Sequence, residues 1–197
     1  KDLDFQSPVP ALTLSKPRLA EHSQALMAHL KQAQVGDIAR LMHLSEKLAQ
    51  LNYTRFQSWR WPQPKASVRQ ALWAFNGDVY QGLQARDWPL EDAAFADQHV
   101  RILSGLYGLL RPMDAILPYR LEMGTALATE RGKDLYQFWG DRVTELINKD
   151  LKAEGSGVVV NLASVEYFKV VKPKALNARI IEPVFKDYHS ASDSYKV

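Results

Sequence analysis

Leu103-Ser104-Gly105-Leu106-Tyr107-Gly108-Leu109-Leu110 is the stretch on which the fold turns. Upstream, Glu91 to Ser104 reads as a helix with Phe95, Val100 and Leu103 as apolar contacts. Two glycines three residues apart then interrupt it, and Leu109-Leu110-Arg111-Pro112 follows. One reading is a helix-hairpin-helix-like element. Its hairpin amides and second helix N-terminus would face a phosphate, because free N–H groups attract anions and glycine permits close approach. The other reading is a helix C-cap followed by a tight packing turn, with no ligand. Arg111 adds a cation beside the hairpin, while Pro112 shortens any second helix.

Working outward, the opening residues to Pro17 are loop-like, with Pro8, Pro10 and Pro17. Ser15 can cap a helix with Leu19, Leu26, Leu30 and Ala33 on one face. A second helix is expected from Gly36-Asp37, striped by Ile38, Leu41, Leu44, Leu48 and Leu51. Ala66 to Phe75 reads as near-helical and runs into the turn Asn76-Gly77-Asp78, followed by a short piece to Leu83. Residues 134–152 give the longest expected helix, capped by Asp134 and ended by Gly155. Val158 to Leu162 reads as a buried-type strand and Ala178 to Phe185 as a second, interrupted by Pro183. These elements add up to α+β: a single helix-rich domain over 1–197, with a small central mixed sheet.

The composition of the 197 residues, 46% hydrophobic and 24% charged, belongs to a folded chain and excludes disordered or collagen-like classes. The absence of cysteine excludes disulfide scaffolds, thiol catalysis and thiolate metal sites. A formal net charge of +3 is too mild to indicate nucleic-acid binding by itself, and neither half carries a basic tail. No apolar run approaches the roughly 18 residues of a membrane span, and no signal-peptide pattern opens the chain. The expectation is a soluble, cytoplasmic protein with no membrane partner.

Other stretches carry candidate chemistry. Arg131 and Lys133 sit before the expected 134–152 helix, where cations oppose the helix dipole by about 0.3–1 kcal/mol each. An anionic ligand would relieve that cost; two solvated side chains pointing away are the alternative. In Asn161-Leu162-Ala163-Ser164-Val165-Glu166-Tyr167-Phe168-Lys169 a strand runs into polar residues. Asn161, Ser164, Glu166, Tyr167 and Lys169 could form a pocket for proton chemistry on a nucleobase or nucleotide. A capped strand-to-helix connection explains the same residues. Lys169, Lys172 and Lys174 form a basic cluster suited to a phosphodiester backbone or, equally, to a solvated face. Arg120 and Glu122 alternate onto one side of Pro118 to Gly124 and are expected to pair. Asp78 and Tyr80 follow a turn that explains Asp78 without a site. The five histidines have no i, i+4 pair, and no nucleophile elbow, Walker loop or dinucleotide fingerprint occurs, so no metal or cofactor is expected.

Taken together, several of these stretches resemble the YaaA family of bacterial peroxide-stress proteins. They are Lys1 to Pro8, Phe75 to Leu83, Leu103 to Asp114, Pro118 to Gly124, Arg131 to Gly140 and Asn161 to Phe168, in family order across the chain. The resemblance implies a cytoplasmic protein with an unusual single-domain α/β fold. It also implies DNA binding through a helix-hairpin-helix and a positive cleft, and a part in limiting free iron and oxidative DNA damage under hydrogen peroxide. It transfers no catalytic residue. Against the family pattern, an N-terminal apolar strand and a C-terminal basic segment are expected to be missing.

The resulting expectation is a peroxide-stress protein that binds duplex or branched DNA largely without sequence specificity and is a binding protein rather than an enzyme. Gly105, Tyr107 and Gly108 would hold phosphate. Arg111, Arg120, Arg131, Lys133, Lys169, Lys172 and Lys174 would line its track. No protein partner is implied. The alternative is the nucleotide enzyme centred on Asn161 to Lys169.

Overall fold

The computed structural model describes residues 2–10, 13–189 and 194–196; Lys1, where the family-like opening begins, lies outside them. The fold is mixed α+β, and the chain groups into two compact units, Lys1–Gly140 and Asp141–Val197.

The first unit opens with an extended segment pinned by one carboxylate. Asp4 accepts hydrogen bonds from the Ser7 hydroxyl, at 2.5 Å, and from the Ser7 and Gln6 amides. Arg86 adds an ion pair at 2.7 Å. These donors, Ser7 first, hold the Asp4 carboxyl well below the usual carboxylate range. The segment also bridges Leu3 to Phe75. Three helices follow: α1 (Ala20–Gln32), α2 (Val35–Met42) and α3 (Glu46–Ser58). The single stripe expected from Ile38 to Leu51 is split because His43 takes a left-handed conformation (φ 51°) and Ser45 caps a new helix through the Leu48 amide. Ser15 caps nothing; its hydroxyl donates to Asp114 at 2.7 Å, and α1 begins five residues later.

Ala66 to Phe75 is not one helix. β1 (Arg69–Gln70) is followed by a single turn, α4 (Ala71–Ala74), and then by α5 (Asp78–Leu83) and α6 (Leu90–His99). β2 (Ile102–Ser104) and β3 (Gly108–Leu110) pair antiparallel, Ile102 opposite Leu110 and Ser104 opposite Gly108. β4 (Ala115–Ile116) pairs with β1. The stretch expected to be a helix-hairpin-helix is therefore a β-hairpin. A short apolar run buried on every side carries no period that separates strand from helix, and here Val100 leaves helical geometry and ends α6. The unit closes with α7 (Leu135–Trp139). Its core gathers Leu26, Met27, Leu30, Phe56, Trp73, Tyr107, Phe138 and Trp139, each under 3% exposed.

The long 134–152 helix is also divided. Gly140 (φ 54°, ψ −119°) ends α7, and α8 (Arg142–Glu154) begins the second unit. Asp134 does cap α7, accepting from the Gln137 amide at 2.8 Å, and Gly155 (φ 73°) ends α8. β5 (Val158–Val160), α9 (Val165–Phe168) and β6 (Arg179–Ile181) follow, with β5 and β6 parallel. β7 (Asp187–His189) and β8 (Ser194–Lys196) pair antiparallel. Val143, Leu151, Val170, Val171 and Leu176 are buried in this unit. Two corrections follow. Among the described residues the strands pair only two by two rather than in one central sheet. Nor is β5 buried: Val158 is 43% and Val160 52% exposed.

Candidate nucleic-acid interface

The glycine hairpin is closed to a ligand. A Cβ on Gly105 would lie 2.3 Å from the Leu121 carbonyl oxygen, and the Gly105 carbonyl accepts from the Trp139 indole at 3.0 Å. At Gly108, φ is +69° and a Cβ would meet Trp139 at 2.8 Å. These glycines are needed for close packing inside the protein, so phosphate approach is not their role. Tyr107 is fully buried, and its hydroxyl accepts from the Trp59 indole, the Gln63 amide and the Leu117 backbone N–H, at 3.0–3.2 Å. Burial pushes this phenol up to about 12.

Two of the expected cations are already neutralised. Arg111 donates from Nε and Nη2 to the fully buried Asp114 carboxylate, at 3.2 and 2.9 Å. Arg120 donates to Glu122 at 2.9 Å, as its alternation suggested, although its Nε is buried with no partner. Arg131 is exposed, lies over the Phe138 ring at 4.8 Å and has His22 within 3.2 Å. Lys133 is exposed beside it in sequence, its amide donating to the Gln137 side chain.

In the second unit Lys169, Lys172 and Lys174 are all exposed, and Lys172 lies 3.7 Å from Asp141. The segment Asn161 to Lys169 does not make a desolvated pocket. Leu162 to Val165 and Lys169 are exposed, while the Asn161 side chain is spent on Glu182 and the Ala163 amide. A broad hollow of about 600 Å³ runs along α8, but Glu145 contributes to its wall and Asn148 is already bonded to Ala175 and Asn177. Among the described residues no three His, Asp or Glu side chains are grouped to hold a metal ion.

The site missed by the sequence reading lies at the end of α3. Arg55 and Arg60 share the wall of a cavity of about 240 Å³. Among the described residues neither guanidinium makes a hydrogen bond or ion pair. Burial lowers the Arg55 pKa from its ordinary value, with Asp2 acting the other way through space. Ser58 and Ser67 add hydroxyls; Trp59, Pro64, Leu117 and Pro118 add apolar surface. Arg55 and Ser58 are placed by the last turn of α3, and Trp59 anchors the following loop by being 4% exposed. Lys65, between Pro64 and Ser67 in the chain, is an exposed cation beside the half-buried Arg55 and the exposed Arg60 in sequence. The signal was present in Arg55-Phe56-Gln57-Ser58-Trp59-Arg60-Trp61, where basic and aromatic residues interleave.

The sequence pattern of the peroxide stress protein YaaA family matches residues 1–197. The chain belongs to the YaaA peroxide stress protein family. Within the YaaA family's reach, it is 55% identical to a UPF0246 protein of Saccharophagus degradans and 53% identical to one of Teredinibacter turnerae. Each match covers 100% of the chain and 76% of the relative. Among the described residues of this YaaA-family chain no helix is long and apolar enough to cross a membrane.

Proposed function

We propose that the chain serves the peroxide-stress role of its family by holding the phosphate backbone of DNA in the cytoplasm, without sequence specificity, around Arg55 and Arg60. The observation that carries this reading is the pair of guanidiniums on one cavity wall, which among the described residues make no hydrogen bond or ion pair and meet only the through-space field of Asp2 at Arg55. An unpaired arginine, part-desolvated like Arg55, is stabilised by an external anion, and the planar fork of arginine matches a phosphate in two-point contact. Lys65 and Lys133 in the first unit, and Lys169 and Lys174 in the second, are exposed and available to a polyanion. Backbone binding displaces the cations condensed on DNA. Ferrous ions among them in an iron-loaded cell leave with the others, which would lower iron-dependent damage to the bound DNA.

The test is a salt titration of duplex binding. Arg55→Glu/Arg60→Glu should weaken binding across all sequences and reduce the log–log salt slope by about 2, close to one per lost phosphate contact. In parallel, saturating wild-type protein should lower plasmid nicking by Fe(II) and peroxide. An unchanged slope removes this surface; unchanged nicking at full occupancy separates the iron effect from binding.

A further inference from the structure

The Arg55–Arg60 cavity has more apolar wall than a phosphate needs. Phosphate sites are built from amides, hydroxyls and cations, whereas here Pro64, Leu117 and Pro118 line the same cavity as the guanidiniums. The space, about 240 Å³, falls just short of the roughly 300–1,000 Å³ of sites for drug-sized ligands. It is too small for a duplex, whose major groove alone is about 12 Å across, and large enough for the base or sugar of one nucleotide. The Trp59 indole N–H is already given to Tyr107 at 3.2 Å. Trp59 therefore adds to the cavity lining without a free base-edge donor. Arg60 is exposed, and its planar guanidinium can lie on a base as well as pair a phosphate.

From this combination, and resting on the backbone-binding reading above, we infer that the cavity receives a single unpaired nucleotide of the bound strand. Its phosphate meets Arg55 and Arg60, and its base enters against the apolar wall. Such a site prefers bulges, overhangs and strand ends to continuous duplex, and reads no sequence because it contacts the face of a base rather than its edge.

The experiment compares three probes at one salt concentration: a fully paired 20-mer, the same duplex with one bulged nucleotide, and that bulge made abasic. Wild type should bind the bulge about tenfold more tightly than the paired duplex, with the preference lost on the abasic probe. Ser67→Trp, at an exposed position on the cavity wall, should abolish the preference by filling the space. Equal affinity for bulged and paired DNA overturns the inference while leaving the backbone reading intact. Should no DNA bind at all, the backbone reading fails, and the cavity is read directly by tryptophan fluorescence with adenosine monophosphate against ribose 5-phosphate. Saturable preference for the nucleotide, cancelled in Ser67→Trp, then sustains the pocket; equal or absent binding of both overturns it.

Discussion

The phenol of Tyr107 is fully buried, and the loss of solvent favours its neutral form until high pH even though three N–H donors to its oxygen act the other way. With the folded pKa pushed up to about 12 against about 10 when unfolded, the unfolded chain binds fewer protons between those limits. This contribution is fully present below pH 10 and is lost as pH rises toward 12, at about 1.4 kcal/mol per pH unit. Tyr107→Phe should cost about 1–3 kcal/mol at neutral pH by stranding those donors. Its deficit relative to wild type should then shrink from pH 10 to 12, measured by denaturant unfolding at each pH. A deficit that stays constant with pH would show that Tyr107 does not titrate in this window. The same scale explains Arg111. Its charge serves the buried Asp114, whereas Arg55 and Arg60 have no such claim on them, and nothing in residue type alone separates the three.

Among helices and strands, glycines mark both a boundary that spacing predicts and ones that it does not. Gly155 ends α8 as expected, in open space with φ +73°, and Gly108 shares its positive φ but is wedged against Trp139 and Leu19. Gly155→Ala should cost about 1 kcal/mol, the conformational term alone. Gly108→Ala should add about 1–3 kcal/mol of overpacking. Thermal unfolding of both variants checks this, and similar losses would mean that Trp139 and Leu19 move aside freely. Gly140 and His43 each break a hydrophobic stripe that continues through them in sequence. Apolar spacing survives such a break because both resulting helices still bury the same side. That is why helix content was legible, while the divisions at residues 43 and 140 were not.

Over the whole molecule, the distribution of apolar surface is uneven. In the second unit Val160, Leu162, Val165, Val184 and Phe185 are 52–88% exposed, although parallel strands such as β5 and β6 are ordinarily covered on both faces. The chain should therefore bind a hydrophobic dye such as ANS in its folded state, and Val160→Thr/Phe185→Ser should lower the fluorescence by about half without lowering Tm. Dye binding that is absent, or indifferent to both substitutions, would show that this surface is covered in solution.

The amino-acid sequence by itself determined the α+β class, the family, the Asp134 and Gly155 caps, and the Arg120–Glu122 pairing, because each rests on short-range spacing or on residue chemistry. Only the tertiary structure decided that Leu103 to Leu110 is a strand hairpin, that β5 lies open, and that Arg55 and Arg60 meet at one cavity. Whether a strand is covered, a glycine wedged or a cation already paired depends on neighbours distant in the chain. Long-range contacts set those neighbours, and local periodicity carries no record of them.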